Sequence, residues 1–261
     1  MVEVARRSVD AVVLGAGVIG LTTAVRLAEA GVRVAVLAAA APAETVSRVA
    51  AAVWYPTRTA GDPRVLERAQ RTFAELTDQA RRGVPGVVMR PTRMLLREPV
   101  PGDPWWSAAV PDFRRVDPPT GYAEQWRFTV PSVEMGPYLD WLLDRLAGLG
   151  VVVRRARVTS LAEAADIAPI VVNATGLGAG ILAGDPAVYP VRGRIVLVAN
   201  PGLVTSVRDE HNPAGPTYVH PRSADVVLGG TFEPYQTRTG PDPATAAAIL
   251  ARCTALVPEL A

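Results

Sequence analysis

The chain has 261 residues, of which 49% are hydrophobic and 20% charged. That length fits one large domain or two interleaved ones, and the balance buries a sizeable core and excludes disorder as the main state. Cys253 is the only cysteine and His211 and His220 are the only histidines, which excludes a disulfide framework, a cysteine-based zinc site and a histidine-rich metal site.

All 27 basic residues are arginine, and the formal net charge is +2. Without lysine there is no Schiff-base lysine and no phosphate-loop lysine. The arginines are scattered among acids rather than clustered with aromatics, so no nucleic-acid partner is expected. No apolar run reaches the ~18 residues of a transmembrane helix, so no membrane partner is expected. The N-terminus carries no signal-peptide cleavage pattern and leads straight into a strand, so a cytoplasmic location is expected.

Residues 11–14 form a short, branched apolar run, which predicts a central parallel strand. Residues 18–30 predict a helix closed by Gly31, and residues 32–37 a second strand. Together they have the size of a βαβ crossover. Residues 38–48 read as a loop, and 49–56 as an apolar stretch of small residues suited to close approach by a ligand. A helix is predicted over 62–82, irregular structure over 99–119 and a strand over 126–130. Tyr138, Leu139, Leu142, Leu143 and Leu146 stand at helical spacing within a predicted helix over 132–150. A strand at 151–153, a helix at 161–168 and a buried strand at 169–174 follow. Strands of a second sheet are predicted over 192–199, 217–220 and 226–232, and a last helix over 241–257.

Gly15-Ala16-Gly17-Val18-Ile19-Gly20 is a G-x-G-x-x-G placed between a predicted strand and a predicted helix. The first glycine permits the tight turn, the second lets the backbone approach a pyrophosphate, and the third lets the helix pack on the strand. The helix N-terminus offers N–H groups to the phosphate charge. An acidic residue usually ends the second strand and binds ribose. Here Ala38, Ala39 and Ala40 stand there, which leaves that work to Glu44 or to a backbone group.

Three further segments join this motif. They are Val49-Ala50-Ala51-Ala52-Val53-Trp54, Val172-Asn173-Ala174-Thr175-Gly176, and Tyr218-Val219-His220-Pro221 followed by Leu228-Gly229-Gly230-Thr231-Phe232. With these four segments in this order, the chain resembles the D-amino-acid oxidase family, flavoenzymes of the glycine-oxidase and D-aspartate-oxidase group. The resemblance implies an α/β fold in which a Rossmann-like FAD-binding domain is interleaved with a mixed-sheet substrate domain. The first would take residues 1–80 and 137–190, the second 81–136 and 191–261. It implies that Gly15, Ala16, Gly17, Val18, Ile19 and Gly20 hold FAD, that Thr45, Val46 and Ser47 form a turn contacting phosphate and ribitol, and that Ala51 and Ala52 lie along the flavin ring. It places the backbone of Val158 against adenine and Thr175-Gly176 beside the dinucleotide. Tyr218 falls where the family directs a hydroxyl at the substrate carboxylate.

The activity implied is oxidation of a D-amino acid by hydride transfer from its Cα to flavin. The imino acid hydrolyses to a 2-oxo acid and ammonia, and oxygen yields peroxide. The family needs no side-chain base, so no catalytic residue and no metal are assigned. His220 and Arg194 are expected to be packing or pairing residues. The partners implied are a D-amino acid and oxygen, with a homodimer compatible with the resemblance. The likeness runs out at Ala261, whereas the family continues with an arginine for the substrate carboxylate, a last strand and a glycine-rich turn. The 261 residues alone are therefore expected to be inactive. A nicotinamide-dependent dehydrogenase and a non-catalytic nucleotide-binding remnant stay open as alternatives.

Overall fold

A computed structural model of the chain describes residues 9–56, 62–209 and 211–261. The expectation about the extreme N-terminus concerns residues outside that set.

Strand β1 (Ala11–Leu14) leads through the glycine turn into α1 (Val18–Glu29) and β2 (Val34–Ala38). The expected loop holds a 3₁₀ turn (Pro42–Glu44) and the short helix α2 (Val46–Val49). Helix α3 (Pro63–Arg81) starts at Asp62, whose carboxylate accepts the amide hydrogen of Arg64 at 2.7 Å, with Pro63 in the first turn. Next come β3 (Val87–Leu96), β4 (Arg114–Val116), β5 (Glu124–Val133) and α4 (Met135–Gly148). Strand β6 (Val153–Arg155), helix α5 (Leu161–Ala165), strand β7 (Ile170–Asn173) and helix α6 (Gly178–Ala183) follow. The remainder is strand-rich: β8 (Val191–Arg192), β9 (Ile195–Ala199), β10 (Ser206–Asp209), β11 (Thr217–Pro221), β12 (Asp225–Gly229) and β13 (Glu233–Pro234). Helix α7 (Pro243–Leu256) closes the order, capped by Asp242, which accepts the amide hydrogen of Thr245 at 3.1 Å.

The chain divides into two compact units. One takes the chain up to Ala50 with Met135–Pro190, the other Ala51–Glu134 with Val191–Ala261. The first unit is built on a parallel sheet of order β6-β2-β1-β7. All four residues of β1 are buried, which is why its sequence is continuously apolar instead of alternating. Helix α1 buries Leu21, Ala24 and Val25, and full burial of a side chain such as Leu21 is worth roughly 1.5–3 kcal/mol. Helix α4 buries Met135, Tyr138, Leu139, Leu142 and Leu146, and Arg145 near its end pairs with Glu29 at the end of α1.

The second unit holds a seven-stranded mixed sheet of order β4-β5-β3-β10-β11-β12-β9, in which only the β3–β10 pair is parallel. Trp54, Phe73, Trp106, Trp126 and Phe128 form an aromatic core with edge-to-face contacts. A second core joins Val207, Val219, Val226 and Leu228 to Ile249 and Cys253 of α7.

The first crossing between the units was expected after residue 80 and falls at Ala50/Ala51, because α3 packs on β3 and β5. Residues 132–133 of the expected helix belong to β5, where Ser132 pairs with Val88 and bridges Val53. The expected strand over 192–199 is split into β8 and β9, and the one over 226–232 stops at Gly229. No helix among the described residues is long and apolar enough to cross a membrane.

Candidate functional site

The first unit forms a glycine cradle at the end of β1. Gly15 has φ +108°, a conformation that disfavours a side chain, and a Cβ there would overlap the carbonyl of Ala174. A Cβ on Gly20 would overlap the carbonyl oxygen of Gly15, so α1 packs backbone to backbone on the turn. Gly17 differs: a Cβ there would meet only the Ser47 hydroxyl, at 3.1 Å. Space is thus kept above Gly17, at the end of α1 where N–H groups are exposed and an anion is favoured.

The second wall of this cradle is α2. Ser47 Oγ accepts the amide hydrogen of Val18 at 3.0 Å. Thr45 Oγ1 donates to the carbonyl of Pro42 at 2.7 Å, which turns the chain into α2. Ile19 and Val46, each next in sequence to a partner of that bond, are 69% and 83% exposed. The third wall follows β7: Ala174 donates its amide hydrogen to Leu14, Thr175 Oγ1 donates to Asn173 Oδ1 at 2.8 Å, and Gly176 turns with φ +61°. The side chain of Val158 packs against Val12, Leu14, Ala164 and Ala168. Glu44 accepts the amide hydrogen of Ala41 at 2.8 Å, so its carboxylate closes its own 3₁₀ turn.

In the second unit, Ala51 and Ala52 lead into Trp54. Ala52 accepts the amide hydrogen of Val133 at 2.7 Å and Trp54 donates its own to Pro131 at 2.8 Å, which ties the segment to β5. Ala52 takes φ +46°, a region that costs an alanine about 1 kcal/mol or more.

Tyr218 lies on β11 opposite Arg208 of β10 and Gly229 of β12. A Cβ on Gly229 would overlap the Tyr218 ring, and one on Gly230 would stand 2.8 Å from its hydroxyl oxygen. Two glycines therefore form the floor on which the ring rests. His220 stacks on the same ring, with centroids 4.8 Å apart. The Arg208 guanidinium lies 4.0 Å from the Tyr55 ring centroid and 5.9 Å from that of Tyr218. Burial pushes the Tyr218 phenol above its ordinary range and keeps it a hydrogen-bond donor. Burial, with Arg208 nearby, holds His220 well below the ordinary imidazole value, so the ring is neutral. Its Nδ1 is buried without a partner.

Gly15, Gly17, Gly20, Thr45, Val46, Ser47, Thr175 and Gly176 thus meet within one unit, while Ala51, Ala52 and Tyr218 belong to the other. Arg194 donates to the carbonyl of Gly240 at 2.8 Å and faces Glu233, a pairing role. Tyr55 lies in the 49–56 stretch expected to approach a ligand but is not singled out there, and Arg208 escapes the sequence reading because the four-residue β10 has no alternating pattern.

The FAD dependent oxidoreductase family profile, DAO, matches residues 10–261. A D-amino-acid oxidase of Rubrobacter xylanophilus is 50% identical over 253 residues, 96% of this chain and 78% of the relative. A D-amino-acid oxidase of Streptomyces coelicolor is 41% identical, over 98% of this chain and 80% of its own length. Human D-aspartate oxidase is 33% identical, over 95% of this chain and 76% of its own length. Among solved structures, glycine oxidase from Geobacillus kaustophilus superposes with a TM-score of 0.81 at 19% identity, covering 97% of this chain and 79% of that one, a likeness of fold.

The chain belongs to the FAD dependent oxidoreductase family. It is an FAD-dependent enzyme, and the cradle fits that cofactor: Gly15 and Gly20 admit no side chain, and Gly17 keeps room at a helix N-terminus. The family match removes the nicotinamide dehydrogenase from consideration.

Proposed function

We propose that this protein oxidises D-amino acids to 2-oxo acids, ammonia and hydrogen peroxide. The observation that carries this reading is the 50% identity to a D-amino-acid oxidase over 96% of the chain. Bound FAD supplies the two-electron oxidation and returns the electrons to oxygen.

In this reading Gly15, Ala16, Gly17, Val18, Ile19 and Gly20 hold the pyrophosphate, with Thr45, Val46 and Ser47 at phosphate and ribitol. The Val158 backbone meets adenine, Thr175 and Gly176 lie beside the dinucleotide, and Ala51 and Ala52 flank the ring. Tyr218 donates its hydroxyl hydrogen to the substrate carboxylate, a role supported by the seating of its ring on Gly229 and Gly230. No side chain is assigned as a base. The amine enters neutral, the Cα–H bond breaks with its electron pair, and water then adds to the resulting imine. Orientation and exclusion of water carry the rate. His220 takes no proton in this scheme, consistent with its burial. The same reading takes the protein as cytoplasmic and as a homodimer, for which cell fractionation and light scattering are the tests.

The activity is tested by peroxide release from a panel of D-amino acids and their L enantiomers, with FAD-loaded protein expressed from its whole reading frame. Peroxide from D forms alone is expected. Peroxide from none of the panel, or equally from both enantiomers, rejects the reading.

A further inference from the structure

We propose that Arg252 is a positioning residue that holds Tyr218 and the segment preceding it in place for substrate, an inference that rests on the reading of Tyr218 given above. Arg252 lies on α7, on the side of the sheet that carries the Val219–Leu228–Ile249 core. Its half-buried guanidinium serves three acceptors on two chain segments at once. Nε donates to Thr217 Oγ1 at 3.2 Å, and Nη2 donates to the carbonyls of Pro216 at 3.3 Å and Gly230 at 3.0 Å.

These acceptors bracket Tyr218. Pro216 and Thr217 are the two residues before it, and Gly230 belongs to the floor beneath its ring. The same segments are laced to each other: Gly230 donates its amide hydrogen to Pro216 at 2.6 Å, and Thr217 Oγ1 donates to the carbonyl of Gly215 at 2.9 Å. The neighbouring Cys253 thiol points at the carbonyl of Tyr218 itself, with Sγ 3.4 Å away, and lies 3.7 Å from that of Gly229. One helical turn therefore fixes the chain entering Tyr218, the carbonyl leaving it and the surface its ring rests on.

The chemistry requires arginine. A planar fork with five donors in fixed directions serves acceptors on separate segments, which the compact ammonium of lysine cannot do. The bonds are charge-assisted and so exceed ordinary carbonyl bonds. Without the fork, the turn over residues 214–217 and Gly230 lose their common anchor, and the Tyr218 hydroxyl is free to drift. A drift of about 1 Å at a substrate-orienting group is enough to cost on the order of a hundredfold in rate.

The test compares the FAD-loaded wild type with Arg252→Met, Arg252→Lys, Tyr218→Phe and the Arg252→Met/Tyr218→Phe double variant. Each is labelled with 3-fluorotyrosine and observed by fluorine NMR. The chain has six tyrosines, and the resonance missing in Tyr218→Phe identifies Tyr218. In Arg252→Met that resonance is expected to shift or broaden while the others hold. Arg252→Lys, which keeps the charge but not the fork, is expected to shift it in the same direction and serves if the methionine variant fails to fold. Kinetically, Arg252→Met should lower kcat/KM for a D-amino acid roughly tenfold with its FAD content unchanged. In the Tyr218→Phe background it should add nothing, because its effect passes through that hydroxyl. A wild type without D-amino-acid turnover would reject the proposed activity and leave the fluorine spectra to decide the role of Arg252. An unmoved Tyr218 resonance in the arginine variants, or a full additive loss in the double variant, overturns the inference.

Discussion

Ser47 Oγ accepts the amide hydrogen of Val18 at 3.0 Å, so a hydroxyl from α2 sits on the first turn of α1. This contact joins two parts of the cradle that lie 29 residues apart in sequence. It also marks the spot above Gly17, where the structure keeps room at a helix end that favours an anion.

Gly17→Val should fold and lose FAD. Gly17 has φ −76° and ψ 177°, extended backbone that valine adopts readily, and the nearest atom to a new Cβ is the Ser47 hydroxyl at 3.1 Å. The valine methyls would then fill the space proposed for the pyrophosphate. Circular dichroism should match the wild type while the purified protein is colourless. A folded variant with normal flavin content would contradict the assignment.

Tyr218→Phe should weaken substrate binding and spare the cofactor. The hydroxyl is proposed to bond a carboxylate, a contact worth roughly 1.5–3 kcal/mol, or on the order of ten- to a hundredfold in kcat/KM. Steady-state kinetics with a neutral D-amino acid, beside flavin content, measure both halves. Unchanged kinetic constants would return Tyr218 to a packing role.

His220→Phe should flatten the acid side of the stability profile. The folded state holds the imidazole well below its ordinary value of 6.5, so as pH falls through that value the unfolded chain takes up a proton that the folded chain refuses. Stability contributed by the neutral ring is complete above that value and is lost below it, by up to about 1.4 kcal/mol per pH unit. Phenylalanine cannot titrate and removes the unpartnered Nδ1 while keeping a ring against Tyr218. Urea unfolding at about pH 7 and about pH 5 should show a smaller fall in the variant. An equal fall in both proteins would count against a buried, neutral His220.

Much of the first unit is legible in the sequence because its signals are local. Continuous apolar residues at Ala11–Leu14 and glycines at fixed spacing define a strand, a turn and a helix without reference to the rest of the chain. The second unit is less so. Strand β3 is interrupted by Arg90, Pro91 and Arg93 and is not assigned from the sequence, yet it pairs over ten residues with β5 and lies beside β10. Strand β10 is four residues long and ends in Asp209, a buried carboxylate that accepts from Arg97, Tyr122 and Asn212. Such long-range satisfaction leaves no local trace. For the same reason Tyr218 was visible as part of a motif, whereas Arg208 and Arg252 became visible only through the sheet and helix that bring them to it.

The central claim, an FAD enzyme that oxidises D-amino acids, is tested most directly by mixing FAD-loaded protein, expressed from its whole reading frame, anaerobically with D-alanine, with other D-amino acids and with their L enantiomers while following the visible absorption band of the flavin. Bleaching by one or more D-amino acids and not by their L forms, reversed when oxygen is admitted, is the predicted result. A flavin that stays oxidised with every D-amino acid, or that is bleached equally by the L forms, would contradict it.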